Sequence, residues 1–383
     1  MKKFILFTFF LPVLSHSYPQ FVSYGYRSCL TCHYNPMGNG PLNDYGRAVA
    51  ATAISARHLI SDKTTDEELG SKSNFFYGAL NKNTWFRPSI DYRGLYLQND
   101  LNKDSKSNRF IHMQGALSVV LKTKRNKALL AFDIGYAPVP RNSDKPNWRT
   151  REHYIGLRPS KKLGIYVGMM DIAYGIRLVD HTAFSRRLNN LSQNDQTHGL
   201  LLHYQNKKFE IGLHGFLGNL LQDSELRQTG VSSNLEYSIT RDFHLGTSVL
   251  FSSSSFKEQL SYASHLRYAF GKGFSVLGEL GIKNEKFNAE SEGNSSLYGM
   301  LRTQTLIVRG LFLNGILDYL RQDVDDEAST YRLGLGAQYF PAQRIEFRFD
   351  FVTTRSYGFL SSTGATRLSS DSLDVLSQVH IYL

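Results

Sequence analysis

Cysteine is almost missing from this chain. Only Cys29 and Cys32 occur in 383 residues, so no thiol is spent elsewhere. Long apolar runs are missing too. Past the first residues no stretch reaches the ~20 residues that a membrane-spanning helix needs, and mean hydropathy is slightly negative. There is no second Cys/His pair at finger spacing, which removes a four-ligand structural zinc site. No βαβ pattern surrounds the two cysteines, which argues against a thioredoxin-like dithiol. The formal net charge is +11. Such a balance can signal nucleic acid, but the basic residues are scattered along a chain that begins with an export signal, so nucleic acid is not an expected partner.

What the chain does have begins with Cys29-Leu30-Thr31-Cys32-His33. C-x-x-C-H is the attachment motif of c-type haem. Two thiols form thioethers to the haem vinyl groups. Two intervening residues let both sulfurs reach one porphyrin edge, and the adjacent imidazole ligates the iron. One covalently bound haem c is therefore expected, with Cys29 and Cys32 as its attachment points and His33 as the proximal iron ligand.

Residues 1–17 read as a secretory signal. Lys2 and Lys3 form the charged start, Phe4 to Val13 the short apolar core, and Ser15-His16-Ser17 the small-residue cleavage region. Residues 18–83 form the haem region and a linker. The segment Tyr34-Asn35-Pro36-Met37-Gly38-Asn39-Gly40-Pro41 is dense in turn formers. Asn43 or Asp44 is placed to cap a helix from about Tyr45 to Ile60, and Ser61 to Ser73 reads as a polar linker. His58 falls on that helix and is the expected distal iron ligand. Met37, four residues after His33, is poorly placed to reach the opposite haem face.

Residues 84–383 change character. Aromatics make up 13% of the whole chain, and 47 of the 49 are Tyr or Phe. Segments of roughly ten residues alternate apolar and polar between turn residues, the pattern of an outer-membrane β-barrel. Sixteen such segments begin near Thr84, Arg109, Lys127, Thr150, Leu163, Thr197, Lys208, Thr229, Phe243, Leu260, Phe274, Ser296, Leu311, Ala328, Gln343 and Ser372. In the clearest, Ile345, Phe347, Phe349 and Phe351 should face lipid, and Arg344, Glu346, Arg348 and Asp350 the lumen. Every second connection is tight and basic, such as Asn206-Lys207 and Arg309-Gly310. The others are longer and polar, and one carries Asp323, Asp325, Asp326 and Glu327. Short periplasmic turns and longer outer loops are expected of such barrels, and an even strand count closes the sheet. The expected fold is mainly β: a transmembrane barrel of about 16 antiparallel strands with a small α-helical monohaem region before it.

The chain ends in an apolar-alternating strand, with Leu383 where outer-membrane proteins more usually carry Phe. The longest patterned connection, Asp171 to Asp195, holds Asp180-His181-Thr182 and Arg186-Arg187. By analogy with sixteen-stranded porins it is the loop that folds inward, an ordinary surface loop being the other reading. By alternation His112, His214, His244, His265 and His380 should point into the lumen.

An export signal, one C-x-x-C-H near the new N-terminus and about sixteen barrel strands together resemble the fused monohaem cytochrome–porin family, whose members include proposed outer-membrane iron oxidases. Cys29, Cys32 and His33 match that family's motif; the rest matches by architecture. The resemblance implies electron transfer across the outer membrane of a Gram-negative bacterium, with the haem region in the periplasm or the barrel lumen. It implies outer-membrane lipid, a periplasmic electron carrier such as a soluble cytochrome, and an extracellular metal-ion donor such as ferrous iron as partners. Three alternatives stand beside it: a transport porin with a structural or regulatory haem domain, a peroxidase-like haem enzyme with an open iron position, and a soluble cytochrome fused to an exported β domain.

Overall fold

Sixteen strands run up and down in sequence order, each paired antiparallel with the next. They are β1 Phe86–Asn99, β2 Ser107–Lys122, β3 Ala128–Tyr136, β4 (in two pieces, Trp148–Arg149 and His153–Leu157), β5 Leu163–Met170, β6 Thr197–Gln205, β7 Phe209–Phe216, β8 Thr229–Ser238, β9 Phe243–Ser253, β10 Lys257–Ala269, β11 Phe274–Phe287, β12 Asn294–Val308, β13 Leu311–Arg321, β14 Ser329–Ala342, β15 Ile345–Ser361 and β16 Gly364–Tyr382. The last strand pairs back onto the first, from Asp91 opposite Tyr382 to Gln98 opposite Val375, so the sheet is a closed barrel without edges. This computed structural model describes residues 19–382 except 39, 59, 62, 76, 77, 81–83, 104, 105, 137–146, 179, 193, 272, 289–291, 327, 362 and 363. The export segment, Glu327 and Leu383 lie outside the described residues.

Strand starts fall close to those expected from alternation, except that β16 begins at Gly364 rather than near Ser372. Both pieces of β4 pair with β3. The break between them has a cause: the Arg151 and Glu152 amides leave the ladder and donate to Asp133 Oδ1, at 2.8 and 2.6 Å.

The two faces differ as a bilayer demands. On β15, Phe347, Phe349 and Phe351 are exposed outward, while Glu346 and Asp350 are buried on the lumen side. Outward apolar side chains such as Leu117, Leu200, Leu280 and Leu335 continue a belt around the barrel. A closed barrel satisfies every backbone polar group internally, as hydrocarbon requires. One expectation is corrected. His112 faces outward, beside Phe110 and hydrogen-bonded to Tyr92 at 3.0 Å. A bulge sets Arg93 and Gly94 opposite Gln114 and His112, leaving one extra residue between them. One such residue flips every side chain beyond it. His214, His244, His265 and His380 are buried on the lumen side as expected.

The N-terminal region sits inside the barrel, at the end of the short turns. Helix α1 (Asp44–Val49) runs into a π-helical turn over Ala50–Ile54. Val49, Ala50 and Ile54 pack against Phe312 and Phe340 of the wall. The helix stops at Ile54, short of the expected Ile60, because Ala56 N–H donates to the Phe340 carbonyl and the wall takes over the chain. Part of the expected linker is instead helix α2 (Asp66–Lys72), capped by Thr65. Buried carbonyls of this plug need donors, and basic residues at or near the short-turn end supply them. Arg309 donates to Ser55 and Thr52 carbonyls, Arg344 to Ser73 and Asn74, Arg158 to Tyr34, and Arg267 to Arg27.

Candidate functional site

Ser28 opens a 3-10 turn over Cys29–Thr31, and the Cys32 and His33 amides both donate to the Cys29 carbonyl, at 3.1 and 2.9 Å. This tight winding brings Cys29, Cys32 and His33 to one cavity, whose empty volume is about 1800 Å³ with its solvent-open part included. Asn43 organises the turn from behind. Its Nδ2 reaches the carbonyls of Leu30, Thr31 and His33 at 3.1–3.3 Å, while its Oδ1 accepts from Gly46 N and caps α1. Helix α1 therefore leans on the motif so closely that a Cβ at Gly46 would lie 2.4 Å from the Cys32 carbonyl oxygen.

The chemistry of these groups fits a c-type haem. The two cysteines are not bonded to each other. Burial, with Glu210 adding to it, pushes the Cys29 thiol up to about 12, the reverse of the depressed value that a redox dithiol uses. His33 Nδ1 lies 3.3 Å from the Gly40 carbonyl. A carbonyl only accepts, so the proton sits on Nδ1 and the lone pair on Nε2, the tautomer an iron ligand presents. Gly38 and Gly40 both take positive φ, +79° and +68°, and a Cβ at Gly38 would come within 2.9 Å of Cys29 Sγ. The cavity lining mixes apolar side chains (Leu42, Ile54, Leu178, Phe340) with arginines such as Arg93, Arg177 and Arg267 and with the carboxylates Asp91, Asp133 and Glu152. An amphiphilic ring with two carboxylates asks for apolar and cationic neighbours.

The roof of the cavity is the connection 171–196 between β5 and β6, and it folds into the lumen. Tyr174, Phe184 of helix α3 (Phe184–Leu188) and Leu191 pack with Phe216, Leu250 and Tyr298 of the wall. Ile176 N donates to Glu279 at 2.6 Å and Gly175 N to Ser248 at 3.0 Å. Asp180 accepts from Arg332 at 2.9 Å, with Arg302 at 3.6 Å. Burial works against the Asp180 charge, but Arg332, Arg302 and Arg348 outweigh it and hold the carboxyl far below the usual range. Next to it, burial pushes the His181 imidazole down despite the Asp180 charge, with Arg186, Arg93 and Arg151 adding to the fall.

Cys29, Cys32 and His33 are thus brought together, and Met37 lines the same cavity. His58 is not among the lining residues; it is exposed in a turn beyond the helix that was expected to carry it. His181 lines the cavity instead. Its motif was visible in the sequence, but its place on the same cavity as the Cys29–His33 turn depends on long-range folding that no local pattern encodes. His380 spends both nitrogens on carboxylates, Asp91 at 2.9 Å and Glu346 at 3.1 Å.

This architecture defines the class: a sixteen-stranded porin-like barrel with an inward loop and an apolar belt, built for the outer membrane of a Gram-negative cell. No family model and no curated protein matches the chain. Among solved structures it is similar to OmpT, an outer-membrane protein of Vibrio cholerae, at 10% identity and a TM-score of 0.61, over 78% of this chain and 97% of that one. It is similar to the anion-selective porin of Comamonas acidovorans at 9% identity and a TM-score of 0.58, over 78% and 99%. It also resembles OprB of Pseudomonas putida at 10% identity and a TM-score of 0.57, over 78% and 94%. Identities this low speak for the fold alone.

Proposed function

We propose that the protein is an outer-membrane electron-transfer barrel carrying one covalent haem c on Cys29 and Cys32, with His33 as proximal ligand. The observation that carries the reading is the convergence of both thiols and His33, its Nδ1 at the Gly40 carbonyl, on one cavity inside a lipid-spanning wall. When bound, haem supplies a one-electron iron couple. The chain's own part is to hold that group within an apolar band about 25 Å tall, which polypeptide alone does not conduct electrons across. Asn43 and Gly40 orient the motif, the cavity arginines meet the carboxylates, and the plug and inward loop limit water. A periplasmic carrier such as a soluble cytochrome would exchange electrons at the plugged end. Asp323, Asp325 and Asp326 on an outer connection would draw a cationic donor such as ferrous iron, an attraction weakened by salt.

The barrel favours a second reading, a transport porin whose haem domain is structural or regulatory, since the structures it is similar to include an anion-selective porin and an outer-membrane channel. Optical spectra of outer membranes, before and after reduction, and single-channel conductance in both redox states separate the two. A haem that exchanges electrons with external ferrous iron, in a barrel of low conductance, supports electron transfer. Solute conductance indifferent to haem and its redox state supports the porin. A high-spin haem that shifts with small ligands would instead favour peroxidase-like chemistry.

A further inference from the structure

We infer that His181, carried over the cavity by the inward loop, supplies the second axial imidazole to the haem iron. The inference rests on the haem reading above. Three side chains besides His33 line the cavity with a donor atom suited to iron in that role: Met37, His380 and His181. His380 is committed at both nitrogens to Asp91 and Glu346. Met37 leaves the same turn as His33; its amide is pinned to Asn35 Oδ1 at 2.8 Å, and its side chain packs against the cluster of Tyr34 and Phe75. His181 comes from a different element, the inward loop, whereas His33 belongs to the plug, and both line the same cavity. Among the described residues its imidazole makes no hydrogen bond, while its neighbours are fixed. Asp180 is clamped to Arg332, and Thr182 donates through both N–H and Oγ1 to Asp180 Oδ1 at 3.0 and 2.6 Å. A half-buried, uncommitted imidazole on a pinned loop, lining the same cavity as Cys29, Cys32 and His33, is what a distal ligand requires. The arrangement makes the haem a bridge between plug and loop, so that its attachment staples the two lumen-filling elements together.

The test uses the full chain in isolated outer membranes. Haem staining after denaturation, lost in Cys29→Ser, reports attachment. Near-infrared magnetic circular dichroism of the unaltered ferric protein should give a low-spin, bis-imidazole signature. His181→Ala should turn the spectrum high-spin, and added imidazole should restore the low-spin form. His181→Met should stay low-spin with a raised midpoint potential. His58→Ala and Met37→Leu should leave the spin state unchanged. Covalent haem with a low-spin spectrum untouched by His181→Ala, or with a methionine signature that Met37→Leu abolishes, overturns the inference alone. Absence of covalent haem from the unaltered protein overturns the haem reading and the inference with it. Should His181→Ala fail to insert, the signature of the unaltered protein decides: histidine–histidine sustains the assignment and any other pair ends it.

Discussion

The Nδ1 proton of His33 is donated to the Gly40 carbonyl, 3.3 Å away across the turn that follows the haem motif. Gly40 can hold its carbonyl there because it adopts φ +68°, and a Cβ would lie 2.4 Å from Glu152 Oε2. Gly40→Ala combines backbone strain with that clash. It should cost at least about 1 kcal/mol and misalign the imidazole. The expected result is a lower ratio of covalent haem to barrel in the membrane, measured by haem staining against total protein. An unchanged ratio and thermal midpoint would show that the turn tolerates a side chain.

Asn43 does two jobs that substitutions can separate. Asn43→Asp keeps the oxygen that caps α1 but replaces the amide that holds the motif's carbonyls with a repelling charge. Asn43→Ala loses both, with the cap alone costing about 1 kcal/mol. Haem attachment should fall in both variants, whereas helix capping fails only in the alanine form. Limited proteolysis of the plug distinguishes them: Asn43→Asp should keep near-normal protection of α1 with reduced haem.

Asp44 and Arg87 pin the plug to β1. Arg87 Nε and Nη2 donate to the two Asp44 carboxylate oxygens at 3.0 and 3.3 Å, and the Arg87 side chain is fully buried. Asp44 is partly exposed and Arg87 keeps its bond to the Phe86 carbonyl, so removing the Asp44 charge should cost about 1–3 kcal/mol. Asp44→Asn should loosen the plug while the barrel persists. Planar-bilayer conductance should rise, and the barrel should remain heat-modifiable on gels. A variant that conducts no better than the parent would mean that other contacts hold the plug unaided.

Asp180 anchors the inward loop to Arg302 and Arg332, which also pair with Asp318 at 2.8 and 3.2 Å. Because Asp318 remains, Asp180→Asn should cost only about 1–3 kcal/mol. The pH sign follows from the depressed Asp180 carboxyl. A carboxylate whose folded value lies below its unfolded one, near 3.9, contributes fully above that value and loses the contribution as pH falls through the folded value. The loop in the parent should therefore stay protease-resistant through pH 4–5, and in Asp180→Asn it should be cleaved more readily across the whole range. Equal cleavage of parent and variant would remove the clamp.

Much of the architecture was legible in residue order because two periods write it directly. Alternation at period two marks a wall with lipid on one side and water on the other, so the start of β15 could be read from Glu346 to Phe351. The tight spacing of Cys29, Cys32 and His33 likewise keeps two sulfurs and an imidazole within one turn, and the structure holds all three at one cavity. Where a local rule broke, the reading broke with it: one extra residue in a bulge turned His112 outward, and a contact from Ala56 to the wall ended the helix that was to present His58.

The sequence alone determined that the chain forms a lipid-facing barrel and carries the C-x-x-C-H motif, because both depend on neighbours within a few positions. Only the tertiary structure decided that the N-terminal region sits inside the lumen and that His181, rather than His58, lines the same cavity as His33. Those relations come from closing sixteen strands into a ring, which sets residues far apart in sequence face to face across a space that no local period describes.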